Sequence, residues 1–130
     1  MTYVKNLNGF SDKRGILFPI EFSELPFTPK RMFYVKGVPK DTIRGEHAHY
    51  VTKQILICIT GKILVGLFDG EEVSETILKE GESILVNNMI WDYQKFMTDD
   101  DVLLVLCSTS FDENDYINDK ENFIKVVGDL

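Results

Sequence analysis

Short runs of Ile, Val, Leu, Phe and Tyr recur along the chain, each closed by Gly, Asp, Asn or Pro, which is the pattern of an all-β sandwich or barrel. It predicts strands near 2–7, 15–21, 31–37, 43–50, 54–60, 62–68, 72–78, 83–87, 90–97 and 101–108. The clearest hairpin runs from Ile63 through Phe68, turns at Asp69-Gly70 and returns along Glu71-Glu72-Val73. Asp-Gly supplies the positive φ angles of a type I′ turn, so the two arms should pair. Ile55 to Ile59 is nearly unbroken apolar sequence that stops at Thr60-Gly61, which predicts a core strand buried on both faces. The tail changes character: Phe111-Asp112-Glu113-Asn114-Asp115-Tyr116-Ile117 opens with side chains that favour helix starts, so a short helix or turn is expected there. Asp112, Glu113, Asp115, Asp119 and Glu121 read as a solvated face. Asp99-Asp100-Asp101 reads as a loop between two strands, and no internal repeat is visible.

Composition narrows the picture. The 130 residues are 44% hydrophobic and 12% aromatic, which suits one domain spanning 1–130. At this length folding buries about two thirds of the extended chain's surface, without metal or disulfide staples. A net charge of −7 argues against a nucleic-acid binder and against anionic membranes. The longest apolar run, Val102 to Cys107, is too short to span a bilayer. The opening MTYVKNLNGF has no apolar block of the secretory kind, so a cytoplasmic location is expected. Cys58 and Cys107 lie in apolar stretches without CxxC spacing and are expected as reduced thiols packed as small hydrophobes.

The two histidines of the chain stand two apart in Arg44-Gly45-Glu46-His47-Ala48-His49. On a strand that spacing sends both imidazoles to one face and Ala48 to the other, so they can address one small molecule or one metal. Burying two imidazoles without a use carries a desolvation penalty, which favours a site over packing. Four residues separate His49 from Gln54 and six more precede Gly61, a spacing that resembles the first cupin motif, G(X)5HXH(X)3,4E(X)6G. Gln54 occupies the glutamate position, and the second motif, from Gly81 to Asp92, has no histidine. No metal is therefore expected, although Asp92 or Glu46 could serve as an auxiliary ligand. Without a metal, paired imidazoles suit proton transfer beside a carbonyl. The resulting enolate or enediol would need donors such as Arg44, Lys53 or a tyrosine hydroxyl.

RGILFPIE at 14–21, Lys30-Arg31 with Tyr34, RGEHAH at 44–49 with Lys53-Gln54, MIW at 89–91 and DENDYI at 112–117 together resemble the nucleotide-sugar 3,4-ketoisomerases, small cupins that act on dTDP-4-dehydro-6-deoxyglucose. The resemblance covers residues 14–124 and implies a homodimer of all-β jelly-roll subunits with a short C-terminal helix and no cofactor. It implies movement of a ketone from C4 to C3, feeding an aminotransferase and then an acetyltransferase that make 3-acetamido sugars. By position, His47 and His49 would be catalytic, taking the proton at C3 and delivering one at C4. Tyr34 and Arg44 would line the sugar pocket, with Lys53 and Gln54 near its mouth and Arg14 at its rim. Arg14, Arg31 and Arg44 are the candidates to meet a diphosphate, and Trp91 the candidate to stack on a base or wall the pocket. Arg14-Gly15 is similar to the branch whose product is galacto-configured. Plainer roles stand beside these: an ion pair for Arg31, packing for Tyr34 and Trp91, orientation of a histidine by Gln54, docking of the C-terminal helix for Tyr116. The rival functions are a nucleotide-sugar 3,5-epimerase, which would want a histidine paired with a buried carboxylate, and a non-catalytic sugar-binding cupin.

Overall fold

The computed structural model describes residues 4–130, so the first positions of the strand expected at 2–7 lie outside the described residues. The strands are β1 (Val4–Asn6), β2 (Phe10–Asp12), β3 (Gly15–Leu17), β4 (Arg31–Val35), β5 (Ile43–His49), β6 (Gln54–Thr60), β7 (Lys62–Phe68), β8 (Val73–Lys79), β9 (Glu82–Val86), β10 (Trp91–Phe96), β11 (Val102–Cys107) and β12 (Tyr116–Ile117), followed by helix α1 (Lys120–Gly128). They form two antiparallel five-stranded sheets, β1-β9-β6-β11-β4 and β12-β5-β10-β7-β8, and a separate β2-β3 hairpin. From β4 to β11 the chain crosses repeatedly between the sheets, so that sequence neighbours seldom pair; this is the jelly roll.

The inner faces supply the main core. Leu56, Cys58, Ile84, Val86, Leu103, Val105 and Cys107 of one sheet meet Ile63, Val65 and Phe96 of the other. Strand β6 is buried on both faces, as its continuous apolar run predicts. Leu56 and Cys58 point into this core, while Ile55 and Ile57 join Leu106 under a cover of Leu7, Ile20, Leu25 and Phe27. That cover ends before Ile59, which is exposed. Both cysteines are free and fully buried, and burial together with Asp101, Glu80 and Glu82 pushes the Cys58 thiol up to about 12. Neither thiol is a nucleophile in this state. Among the described residues no helix is long and apolar enough to cross a membrane.

Three expectations change. The β7–β8 turn is not a two-residue type I′ turn: the register pairs Phe68 with Val73 and leaves residues 69–72 as the loop. The Asp69 carboxylate accepts hydrogen bonds from Glu71 N and Glu72 N, both at 2.8 Å, and this side-chain closure widens the turn. The strand expected at 15–21 stops at Leu17 and pairs instead with the short β2, missed in the sequence; Pro19 has no N–H with which to extend a ladder. The acidic tail is only partly a solvated face. Asp112 accepts from Asn114 N at 3.0 Å, Asp119 accepts from Glu121 N at 3.2 Å at the start of α1, and Asp115 accepts from Val51 N at 2.8 Å and Thr52 N at 3.2 Å. These carboxylates cap turns and fasten the tail to the body of the protein. Asp101 does comparable work in its loop, accepting from Lys62 N at 2.9 Å and Thr98 N at 2.8 Å. Gly61, at φ +87, leaves the room that this carboxylate occupies.

Candidate active site

The site grows from an irregularity in β5. Gln94 of β10 pairs with Arg44, Tyr93 with Gly45, and Asp92 with His47, so Glu46 is an extra residue. Gly45 and Glu46 take φ +85 and +60, the geometry of a β-bulge with a left-handed glycine. Strict alternation would send Arg44 and His47 to opposite faces; the bulge returns both to the cavity side. Glycine suits position 45 because its φ of +85 is left-handed, and a Cβ there would also crowd the Tyr93 Cα at 3.2 Å. Beyond the bulge the period of two resumes, and the His47 and His49 rings stand edge to face with centroids 5.0 Å apart. Ala48, on the reverse side, is fully buried among Trp91, Phe68, Ile117 and Phe123.

Two further strands close on this pair. Strand β12 places Tyr116 opposite His49, with ring centroids 4.4 Å apart, and 5.3 Å from His47. The carboxylate of the neighbouring Asp115, bound to the 51–52 backbone, fixes that register. Arg31, at the start of β4, lies over the rings of Phe33 and Phe111 at 4.9 and 5.0 Å. Its Nη1 donates to the Tyr116 hydroxyl at 3.5 Å. From β10, Asp92 enters between the histidines: donor atoms of His47, His49 and Asp92 lie within 4.8 Å of one another. Gln94 Nε2 donates to Asp92 Oδ1 at 2.5 Å, whereas Oδ2 has no hydrogen-bond partner among the described residues. The adjoining cavity, about 80 Å³, is lined by Arg44, His47, Gln54, Asp92, Gln94 and Tyr116 over an apolar floor that includes Phe33 and Val105.

Burial sets the charge states. Desolvation lowers the His47 pKa, opposed by a backbone hydrogen bond at Gly45. It brings His49 down to about 4, helped by His47 and Arg31 and opposed by Asp115. Asp92 is pushed up to about 7 by burial, which the Gln94 hydrogen bond only partly offsets. At neutral pH both imidazoles are therefore uncharged and ready to accept a proton. At position 54 an amide stands where the first cupin motif has a glutamate.

Of the residues predicted from sequence, the fold brings His47, His49, Arg31, Arg44 and Gln54 together. Gln54 is buried and donates from Nε2 to Cys107 Sγ at 3.4 Å. Arg31 stacks on aromatic rings, not in the surface ion pair that stood as its plainer alternative. Lys53 is exposed in the β5–β6 connection, its backbone N–H held by Ser108 Oγ. Three residues fall elsewhere in the chain. Tyr34 is 64% exposed, because β4 turns Arg31, Phe33 and Val35 inward and Met32 and Tyr34 outward. Trp91 is buried against Phe123 of α1, ring centroids 5.9 Å apart, on the opposite side of β10 from Asp92; it packs the helix and does not wall the cavity. Arg14 sits on the β2–β3 hairpin in an exposed ion pair with Asp12 at 2.7 Å. Sequence reasoning weighed Asp92 only as an auxiliary metal ligand and Tyr116 only as a dock for the C-terminal helix, and it did not single out Gln94. The signal for Asp92 and Gln94 is polar residues two apart beside the aromatic Trp91 and Tyr93, an inward-facing polar pair by period.

Comparison with known proteins shows the family. The family model described as FdtA: WxcM-like, C-terminal matches residues 1–128. The TDP-4-oxo-6-deoxy-alpha-D-glucose-3,4-oxoisomerase of Aneurinibacillus thermoaerophilus is 33% identical over 129 residues, covering 98% of this chain and 93% of that protein. The crystal structure of QdtA, a sugar 3,4-ketoisomerase from Thermoanaerobacterium thermosaccharolyticum in complex with TDP, is similar with a TM-score of 0.92 and 32% identity, covering 98% of this chain and 95% of that one. A histidine-to-asparagine mutant of QdtA, in complex with TDP-4-keto-6-deoxyglucose, is similar at the same TM-score of 0.92 and 31% identity, covering 98% and 94% of the two chains. With a matching family model over nearly its whole length and a jelly roll that superposes on these enzymes, the chain belongs to the FdtA family of cupin-fold sugar nucleotide 3,4-ketoisomerases.

Proposed function

We propose that this protein, acting as one domain, converts dTDP-4-dehydro-6-deoxy-D-glucose to a dTDP-3-dehydro-6-deoxyhexose of galacto configuration, without a metal, through an enediol. The observation that carries the mechanism is the pair of uncharged imidazoles with ring centroids 5.0 Å apart beneath Tyr116. One imidazole takes the hydrogen from C3; the electron pair of the broken C–H bond forms the C3–C4 double bond, and the C4 carbonyl oxygen becomes the enediolate oxygen. Arg31, Arg44 and the Tyr116 hydroxyl supply donors for that oxygen. The C3 hydroxyl passes its proton to the C4 oxygen; the second imidazole, protonated in its turn by the first or by solvent, delivers its proton to C4 as the C3 oxygen collapses to a carbonyl, leaving a ketone at C3, a hydroxyl at C4 and both imidazoles uncharged. Atoms and charge balance without an external oxidant.

The remaining parts of the reading concern setting. A homodimer is supported by the apolar surface that one chain leaves bare: Phe10, Ile16 and Leu17 on the hairpin and Met32 and Tyr34 on β4 are 49–68% exposed. In such a dimer Arg14 and Tyr34, directed away from the cavity of their own chain, reach the partner's sugar nucleotide, and Arg14-Gly15 shapes the galacto outcome. Sedimentation should give twice the chain mass; a single-chain mass at micromolar concentration removes the dimer. The product is assigned to the cytoplasmic supply of 3-amino and 3-acetamido-3,6-dideoxy sugars, a ketone at C3 being what an aminotransferase consumes.

One observation favours the epimerase alternative, the buried Asp92 beside the histidines. Incubation with dTDP-4-dehydro-6-deoxyglucose in D2O, after exhaustive chelation, separates the readings. Deuterium at C4 with the ketone moved to C3 is the expected result, and the coupling constants at C4 report galacto or gluco product. Label at C3 and C5 with the ketone unmoved means epimerisation, and no label means binding alone. Activity lost on chelation and restored by a divalent ion contradicts the metal-free mechanism.

A further inference from the structure

We propose that Asp92 is a positioning residue of the ketoisomerisation: its carboxylate, held by Gln94 beside the imidazole pair, stabilises the imidazolium formed when a histidine takes the carbon-bound proton. The inference rests on the ketoisomerase reading of the same cavity. Asp92 is 1% exposed, and among the described residues the only hydrogen bond to its side chain is the one from Gln94. A carboxyl group in that position does not serve the fold, since an ionised oxygen without a donor is a buried penalty that a neutral side chain would avoid. It serves whatever positive charge arises beside it. The groups that face it identify that charge. From β5 come His47, its direct cross-strand partner, His49 and Arg44; from β12, Tyr116; from β4, Arg31 beyond Tyr116; from β7, only Leu67 is paired with it. Asp115 acts on His49 from the far side. Arg44 is exposed to solvent and Arg31 is engaged with Phe33, Phe111 and Tyr116. Both imidazoles have a ring nitrogen within 4.8 Å of a carboxyl oxygen.

In the resting enzyme the histidines are uncharged, so Asp92 has no cation to meet. During turnover one histidine becomes an imidazolium in a site where desolvation opposes its charge, and the nearby carboxylate supplies the compensation. This makes the ionised form of Asp92 the active one, and turnover should rise with pH through its ionisation. Gln94 tunes the position of that limb, because its N–H donates to the charged form and lowers the Asp92 pKa.

The test uses the full-length enzyme with dTDP-4-dehydro-6-deoxyglucose, following C3-ketone formation across pH 5 to 9 for wild type, Asp92→Asn and Gln94→Leu. Asp92→Asn should lose on the order of 10²-fold in kcat, keep KM within about 3-fold, and lack the rising limb altogether. In Gln94→Leu the carboxyl remains but its stabilising donor is gone, so the limb should move to higher pH. A limb that stays in place in both variants, or an Asp92→Asn enzyme with wild-type kcat, overturns the proposal, as does a lower kcat on an unshifted profile. Should Asp92→Asn fail to fold, the direction of the Gln94→Leu shift decides alone. A wild-type enzyme that moves no ketone defeats the ketoisomerase reading first, which keeps the two failures apart.

Discussion

Asparagine at either His47 or His49 should abolish most turnover while leaving the fold intact. Removal of a general acid or base from a proton transfer at carbon lowers kcat by at least about 10²-fold. The folded state loses little, because both imidazoles are held uncharged against desolvation, and an amide of smaller volume carries no such titration penalty. The two variants should not fail alike. The one that lacks the base neither makes product nor exchanges the C3 hydrogen with D2O. The one that lacks the donor still exchanges C3 but does not form the C3 ketone. Single-turnover incubation followed by proton NMR of the recovered sugar nucleotide distinguishes them, and combining the substitutions should add little to the worse single loss, as for residues that act as one unit. Near-wild-type rates in both single variants would dismiss the paired-imidazole mechanism.

The strands were legible from period and punctuation because each apolar residue of β6, β7 and β11 has a core to enter, and the sequence carries that requirement residue by residue. The histidine pair was legible for the same reason: His47 and His49 lie on the regular side of the β5 bulge. What escaped depends on phase and on distant register. Arg31 and Tyr34 are three apart on one strand and cannot share a face, so drawing both into one pocket required a break in β4 that does not occur. Arg44 and His47, also three apart, do share a face, because Gly45 and Glu46 insert a bulge visible only once β10 is paired to them. Trp91 and Asp92 are adjacent and must point to opposite sides; the tryptophan goes beneath α1, and the aspartate is left to the cavity. Tyr116 lies 67 positions after His49, and no local pattern reports that a two-residue strand held by Asp115 will lay it on that ring.

The contribution of Asp92 to stability should depend on pH in a direction opposite to ordinary acid denaturation, and Asp92→Asn should remove it. In the unfolded chain Asp92 ionises near its ordinary value of 3.8, while in the folded protein burial holds it at about 7. Between those values the folded state binds the extra proton, so wild-type stability attributable to this group is greatest below pH 4 and declines until pH passes 7. A difference of about three pKa units corresponds to about 4 kcal/mol. His49 works the other way: its folded pKa of about 4, against 6.5 in the unfolded chain, makes the unfolded state the proton binder and raises stability over pH 4 to 6.5. In wild type the two slopes largely cancel. Asparagine removes only the falling one, so the variant should match wild type near pH 4, gain through pH 6.5 and unfold on the order of 10 °C higher at pH 8. Thermal melts at those three pH values test this, and equal melting temperatures for the two proteins at pH 8 would show that Asp92 carries no buried charge. A residue whose removal stabilises the fold at working pH, while the rate falls, has its place fixed by the reaction it serves.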